Sequence, residues 1–251
     1  MVERGRAATD RSLPPRRGAR SGDPAPYADA VAELPLLAAG RDADVFDLGD
    51  GTVLRRYRRR DVPAREVEIM RYVHARGYPV PRVVSVSGAD LTLEKVDGPT
   101  MQDALMADLG LIGEHAAVLA ELHHRLHALE APDWLPRRGQ GDRVLHLDLH
   151  PRNVIVGPAG PVVIDWANAA AGSGVLDPAL MIAIALTAKA NAEPMERRHI
   201  DSFIRSFASH FDAAELRGAM PEAVALRAAD ANVTEKERAE LLGSEWPIPE
   251  A

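Results

Sequence analysis

Asp148 and Asn153 fall inside the run His146-Leu147-Asp148-Leu149-His150-Pro151-Arg152-Asn153, and Asp165 follows at the end of the apolar run Val163-Ile164. Moving a phosphoryl group needs a carboxylate to take the proton of an attacking hydroxyl, and oxygen ligands to hold magnesium on a triphosphate. Asp148 has the chemistry of the first, and Asn153 and Asp165 that of the second. The bland alternative is that Asp148 and Asn153 hydrogen-bond a tight loop while Asp165 caps the next turn. The co-occurrence of all three, with Asp165 in a strand-end context, favours chemistry.

The elements that would position them can be read from pattern. Leu34 to Leu37, Ala43 to Leu48 and Thr52 to Arg58 have the composition of short strands, with Gly49-Asp50-Gly51 as a tight turn between the last two. A helix is expected from Pro63 to Arg76, broken by Gly77-Tyr78-Pro79, and strands again at Arg82 to Val86 and Asp90 to Glu94. Beyond Gly98 the periodicity becomes helical, with Val118, Leu119, Leu122, Leu126 and Leu129 on one face. Val144 to Leu149 and Pro161 to Trp166 are short apolar runs around the polar loop, and from Asp177 to about Leu242 the chain is Ala-rich and helical. Asp177-Pro178 has the form of a helix N-cap followed by proline.

These motifs resemble the aminoglycoside phosphotransferase-like family of small-molecule kinases over about Leu36 to Ala190. The sharpest pieces are Leu119 to His127, His146 to Asn153 and Ile164-Asp165-Trp166. The resemblance implies an α+β, bilobal protein-kinase-like fold with a small antiparallel-sheet N-lobe and a mainly helical C-lobe. The arginines among Pro, Gly and Ser at the start read as a disordered basic tail (1–26), and the resemblance divides the rest into a nucleotide-binding lobe (27–97) and a helical catalytic and substrate lobe (98–251). ATP and Mg2+ are the implied cofactors. Asp148 is then the catalytic base, His146 a member of the catalytic loop that braces rather than reacts, and Asn153 and Asp165 the magnesium ligands. In related kinases an Asp placed like Asp177 braces that loop.

Such a fold puts a cation on the third strand over the phosphates and pairs it with a Glu on the next helix. Alternation places Val53 and Arg55 on one face, so Arg55 stands where the family has lysine; Arg56 points away, toward solvent. Glu66, Ile69, Met70 and Val73 share a helix face, so Glu66 is the expected partner of Arg55, the alternative being a helix-edge Glu that reaches solvent. Gly40 opens the loop at the nucleotide position, or an ordinary hairpin turn. Leu93 to Gly98 would be the hinge, with backbone groups of Glu94 and Val96 available to adenine.

Other readings fail on residues. Gly49 to Leu54 lacks the third glycine of a dinucleotide fingerprint, and no lysine follows a glycine as a P-loop needs. His123, His124 and His127 suggest zinc, but the Glu that a metalloprotease helix needs after its first His is His124. A protein kinase is disfavoured, because Ile164-Asp165-Trp166 lacks the usual Phe-Gly. The remaining rival is a catalytically degenerate nucleotide-binding or partner-binding module, motivated by Arg55. With no cysteine and a formal charge of -7, the composition fits a reducing cytoplasm and argues against nucleic acid; no apolar run is long enough for a membrane span. The partner expected is a small-molecule hydroxyl acceptor, chosen by helices at Leu176 to Ala190 and Met195 to Leu216. Asp201, Asp212 and Glu215 there would attract a cation, if they are not merely solvated acids.

Overall fold

The computed structural model describes residues 34–249. The expected tail, 1–26, lies outside the described residues. The chain opens with a five-stranded antiparallel sheet in the order β1-β2-β3-β5-β4, made of β1 (Leu36–Ala39), β2 (Ala43–Asp47), β3 (Thr52–Tyr57), β4 (Val83–Ser87) and β5 (Asp90–Glu94). β1 begins two residues later than the sequence suggests, because it pairs Leu36 with Phe46 and Ala39 with Asp44. The β2–β3 turn is tight as expected: Gly49 and Gly51 have φ of 75° and 83°, where a side chain would be strained.

Helix α1 (Ala64–His74) follows β3 and buries Glu66, Val67, Ile69, Met70 and Val73. It packs on β4 and also on a 3-10 turn at Trp166–Asn168, so it ties the sheet to the segment after Asp165. A short linker leads to α2 (Met101–Ala107), whose N-cap is Thr100. Within it Gly98 has φ of 141°, and a Cβ there would lie 2.3 Å from the Val156 carbonyl oxygen. That close approach seats the linker on the second half of the molecule.

The remainder is mainly helical: α3 (Ile112–His127), α4 (Leu176–Ala188), α5 (Pro194–Ala208), α6 (Ala213–Ala229) and α7 (Glu235–Gly243). α3 has the predicted apolar stripe, with Leu119, Leu122 and Leu126 fully buried. α4 is apolar almost all round and packs against α5, α6 and α7, as a central core helix must. Small β elements sit beneath the sheet lobe. β8 (Val154–Gly157) and β9 (Gly160–Val163) form a hairpin; β6 (Arg137–Arg138), β10 (Ala170–Gly172) and β7 (Arg143–Leu145) form a three-stranded patch. The fold is thus the mixed architecture expected, an antiparallel N-terminal sheet and a helical C-terminal part. Among the described residues, no helix is long and apolar enough to cross a membrane.

Candidate active site

β7 delivers the chain to His146, where it turns sharply. Leu147 has φ of 60°, a left-handed conformation that costs a non-glycine residue about 1–2 kcal/mol. Asp177 holds it there: its carboxylate accepts from the backbone N–H of His146 and of Leu147, each at 2.7 Å, and faces His127 Nε2 at 3.2 Å. The N-cap expected of Asp177 is not observed. α4 starts one residue earlier, at Leu176, so Asp177 lies inside the first turn and its side chain reaches sideways to the loop rather than back to its own helix. Burial alone would raise its pKa, but His127 and the backbone donors hold it below the usual carboxylate range.

Asp148 follows, half-buried. Asn153 Nδ2 donates to its backbone oxygen at 2.8 Å and to Oδ2 at 3.1 Å, and His150 Nε2 lies 3.3 Å from Oδ1. Burial pushes the Asp148 pKa up; His150 and Asn153 outweigh it, so the group lies below its ordinary value and is ionised at neutral pH. Asn153 is joined to Asp165 by the hairpin. Val154 pairs with Val163, and Ile164 N–H donates to the Asn153 carbonyl at 2.9 Å, which brings Asn153 and Asp165 to the same end of β8–β9. With Nδ2 spent on Asp148, Asn153 Oδ1 has no hydrogen-bond partner among the described residues.

His146 is fully buried behind these groups. Its Nε2 donates to the Ile164 carbonyl at 3.1 Å, fixing the tautomer, and its ring lies edge-on to Trp166 with centroids 4.7 Å apart. Burial lowers its pKa, so it is a neutral strut between the Asp148 loop and the Asp165 segment. Asp165 itself has φ of 66°, a conformation that Asp tolerates better than most residues.

The sheet contributes Arg55. Its guanidinium donates to Glu66 Oε1 at 2.7 Å and to Asp165 Oδ1 at 3.0 Å, so one fork joins α1, β3 and the hairpin. Glu66 is 1% exposed and is further satisfied by the Tyr57 hydroxyl. Although burial opposes it, the charge of Arg55 is favoured by Glu66 and Asp165. Arg56 does point away from Arg55, but it is not simply solvated: Nε and Nη2 bind both carboxylate oxygens of buried Asp90, at 2.7 and 2.9 Å. The two residues face each other across β3 and β5.

These groups border one cleft of about 1280 Å³, larger than the 300–1,000 Å³ typical of a single small-ligand pocket. Gly40, Val53, Arg55, Glu94, Val96, Asp148, Asn153 and Asp165 all line it; Glu66 and His146 lie one layer behind. Gly40 serves both readings made of it, since its N–H closes a hairpin turn on the Ala43 carbonyl at 2.9 Å while the turn forms cleft wall. Of the proposed acceptor segments, α4 contributes Leu180 and Ile184, but nothing from 195–216 reaches the cleft. Leu226, Arg227, Asp230, Asn232 and Glu237 do instead. Asp201 is paired with Lys189, and Asp212 caps α6.

Two overlapping stretches, residues 33–143 and 90–218, match the sequence model of the phosphotransferase enzyme family, APH. The chain belongs to this family. No curated protein sequence matches it. Among solved structures, a choline/ethanolamine kinase family protein from Mesorhizobium loti superposes with a TM-score of 0.57 at 16% identity, over 86% of this chain and 91% of that one. The streptomycin–ATP complex of APH(2")-IIa gives 0.56 at 15%, over 86% and 93%. Amicoumacin kinase hAmiN, in complex with AMP-PNP, Ca2+ and Ami, gives 0.51 at 14%, over 86% and 90%. At these identities the likeness is one of fold.

Three features of this family member's site escape sequence reading. Tyr57 under Glu66 and His150 beside Asp148 were visible as residues, the latter inside the motif itself, but nothing marked their direction. The third is the contact of buried His123 and half-buried His127 with Asp177 behind the loop; the sequence marks the histidine cluster but not this partner. His123 is wholly buried against Phe207 and Phe211; among the described residues neither ring nitrogen makes a hydrogen bond of good geometry, and one nitrogen each of His123 and His127 lies within 4.8 Å of an Asp177 oxygen. The Asp177 oxygens already accept from three donors, so the group is a hydrogen-bonded core rather than an open coordination shell.

Burial pushes His123 down to about 3, and His146 is lowered likewise. Both are therefore harder to protonate in the fold than in the unfolded chain, which takes up protons below about pH 6.5. Their contribution to stability is full above that pH and falls as pH drops, by up to about 1.4 kcal/mol per pH unit for each. Thermal midpoints measured from pH 7.5 to 5.0 should decline accordingly, and His123→Phe should flatten the decline. An unchanged slope in that variant would show that His123 is protonated in the fold.

Proposed function

We propose that the chain is an ATP- and magnesium-dependent phosphotransferase that moves the γ-phosphoryl group of ATP to a hydroxyl of a small molecule. The observation that carries this reading is the shared end of the β8–β9 hairpin, where Asn153 and Asp165 meet beside Asp148 in a cleft faced by Arg55.

The donor set suits a hard divalent cation. Asp165 is 44% exposed at its side chain and Asn153 Oδ1 is unengaged, so two oxygen ligands face the cleft, as Mg2+ prefers when substrate phosphates and waters complete its shell. When bound, magnesium would neutralise charge on the phosphates. Arg55, oriented by Glu66, grips the phosphate oxygens that are not transferred. Val53 and Gly40 wall the nucleotide, and the linker offers backbone groups at Glu94 and Val96. The Glu94 N–H is committed to the Arg82 carbonyl at 2.9 Å, so its carbonyl is the group left for adenine.

Asp148 accepts a hydrogen bond from the acceptor hydroxyl and takes its proton on a carboxylate oxygen as the new O–P bond forms and the bond from the γ-phosphorus to the bridging oxygen breaks, releasing ADP. Its depressed pKa suits orientation more than strong basicity, which is sufficient where the transition state is loose and positioning dominates. Division of labour between residues 27–97, for nucleotide, and 98–251, for catalysis and acceptor, follows from the same reading.

The test needs no acceptor. ATP with magnesium should raise the thermal midpoint by mass action, ATP alone should raise it less, and Asp165→Asn should lose the magnesium-dependent part. No rise at saturating ATP would leave the degenerate module as the better account.

A further inference from the structure

Apart from the nucleotide wall and the Asp148 and Asp165 carboxylates, the rest of the cleft lining carries three guanidiniums, on Arg138, Arg152 and Arg227, against two carboxylates, on Asp230 and Glu237. Both carboxylates are occupied. Asp230 Oδ2 accepts from Arg227 at 2.9 Å, and Glu237 accepts from Thr234 N–H and Oγ1, each at 2.8 Å, with its pKa lowered first by those bonds and further by Arg227.

Arg138 and Arg152 have no side-chain partner among the described residues. Their placement is nevertheless fixed: Arg138 lies opposite Gly172 in the β6–β10 pair, and Arg152 sits in the 3-10 turn Pro151–Asn153, between Asp148 and Asn153. Two guanidiniums without a side-chain partner among the described residues thus face the cleft that Asp148 also lines. Beyond them the floor is apolar, formed by Leu180, Ile184 and Leu226.

Resting on the phosphotransferase reading above, we propose that the acceptor is a hydroxy compound bearing an oxyanionic group, a carboxylate or phosphate, on an apolar body. Arg138 and Arg152 bind the oxyanion through charge-assisted, fork-like hydrogen bonds, the body packs on the Leu180, Ile184 and Leu226 floor, and the hydroxyl is presented to Asp148. A polyamine acceptor is repelled by the same pair.

Four probes sharing the 4-(hydroxymethyl)phenyl frame and carrying a carboxylate, a phosphate, a neutral carboxamide or an aminomethyl cation test this by thermal shift, with AMP-PNP and magnesium filling the nucleotide end. At least one of the two anions should bind about tenfold or more tightly than the amide and amine, as charged hydrogen bonds imply. The preference should vanish in the double variant Arg138→Ala, Arg152→Ala, whose positions are exposed and whose fold should be undisturbed. Carboxylate and phosphate arms then say which oxyanion fits. Equal or better binding of the amine, absence of any anion shift, or an anion shift retained in the double variant would each overturn the proposal. Loss of the AMP-PNP shift in the double variant would also overturn it, by assigning the arginines to the nucleotide while leaving the phosphotransferase reading intact. If AMP-PNP fails on the wild type, that reading falls instead, and the anion preference measured on the free protein still decides the role of the arginines.

Discussion

Asp148→Asn should cut acceptor-dependent ADP release by about 10²–10⁴-fold, the range for loss of a positioned proton acceptor, while leaving the magnesium-dependent ATP shift in place. The substitution preserves shape, and Asn153 can still donate to the residue 148 backbone oxygen, so the loop and the metal ligand should stay put. What disappears is the anionic oxygen between His150 and Asn153. The check is a steady-state ADP assay on whichever hydroxyl compound supports turnover in the wild type. Turnover within a few-fold of wild type would remove Asp148 from the chemistry. The degenerate-module alternative makes the opposite forecast: ATP binds, and no acceptor stimulates ADP release from the wild type.

Arg55 is the residue that keeps this alternative in view, and its geometry weakens it. The guanidinium spans Glu66 and Asp165 at once, and both contacts come from a group whose charge is permanent. A fork that already reaches the Asp165 segment is at the right depth to meet phosphates held there. On the proposed reading, arginine can therefore occupy the lysine position and still face the phosphates.

The parts of this site that were legible in the sequence are those set by short-range rules. Asp148 and Asn153 share one loop, Asp165 ends an apolar run, and strand alternation plus helix periodicity put Arg55 and Glu66 on facing surfaces. The two-stranded hairpin that joins Asn153 to Asp165 was half visible, because Val154-Ile155-Val156 is too short to distinguish from the end of the motif. Contacts that depend on tertiary register were not legible at all. Arg56 meets Asp90 only because β3 pairs with β5 and not with β4, and β6 and β10 are strands of two and three residues that exist through pairing rather than propensity. The acceptor wall shows the same limit. Helical periodicity alone could not say that 226–237, and not 195–216, folds back onto the cleft.

Asp177 illustrates how far such a tertiary contact can matter, and its removal should have the largest effect on stability. Asp177→Ala leaves the buried N–H of His146 and the partly buried N–H of Leu147 without acceptors and deprives His127 of its partner. Each orphaned buried donor costs about 1–3 kcal/mol, and breaking a buried charged network about 3–5 kcal/mol in total. For a chain of this size each kcal/mol lowers the midpoint by about 2–4 °C, so a fall on the order of 10 °C is expected at pH 7. Function should suffer separately. Without the Asp177 carboxylate, Leu147 has no reason to keep its left-handed conformation, and relaxation of that one residue swings Asp148 relative to Asn153. Below its melting range the variant should therefore still bind ATP, through Arg55 and the hairpin end, but turn over slowly. A midpoint within 2 °C of wild type would mean that the loop conformation is held by something other than Asp177, and full turnover in the folded variant would mean that the strain at Leu147 does not position the base.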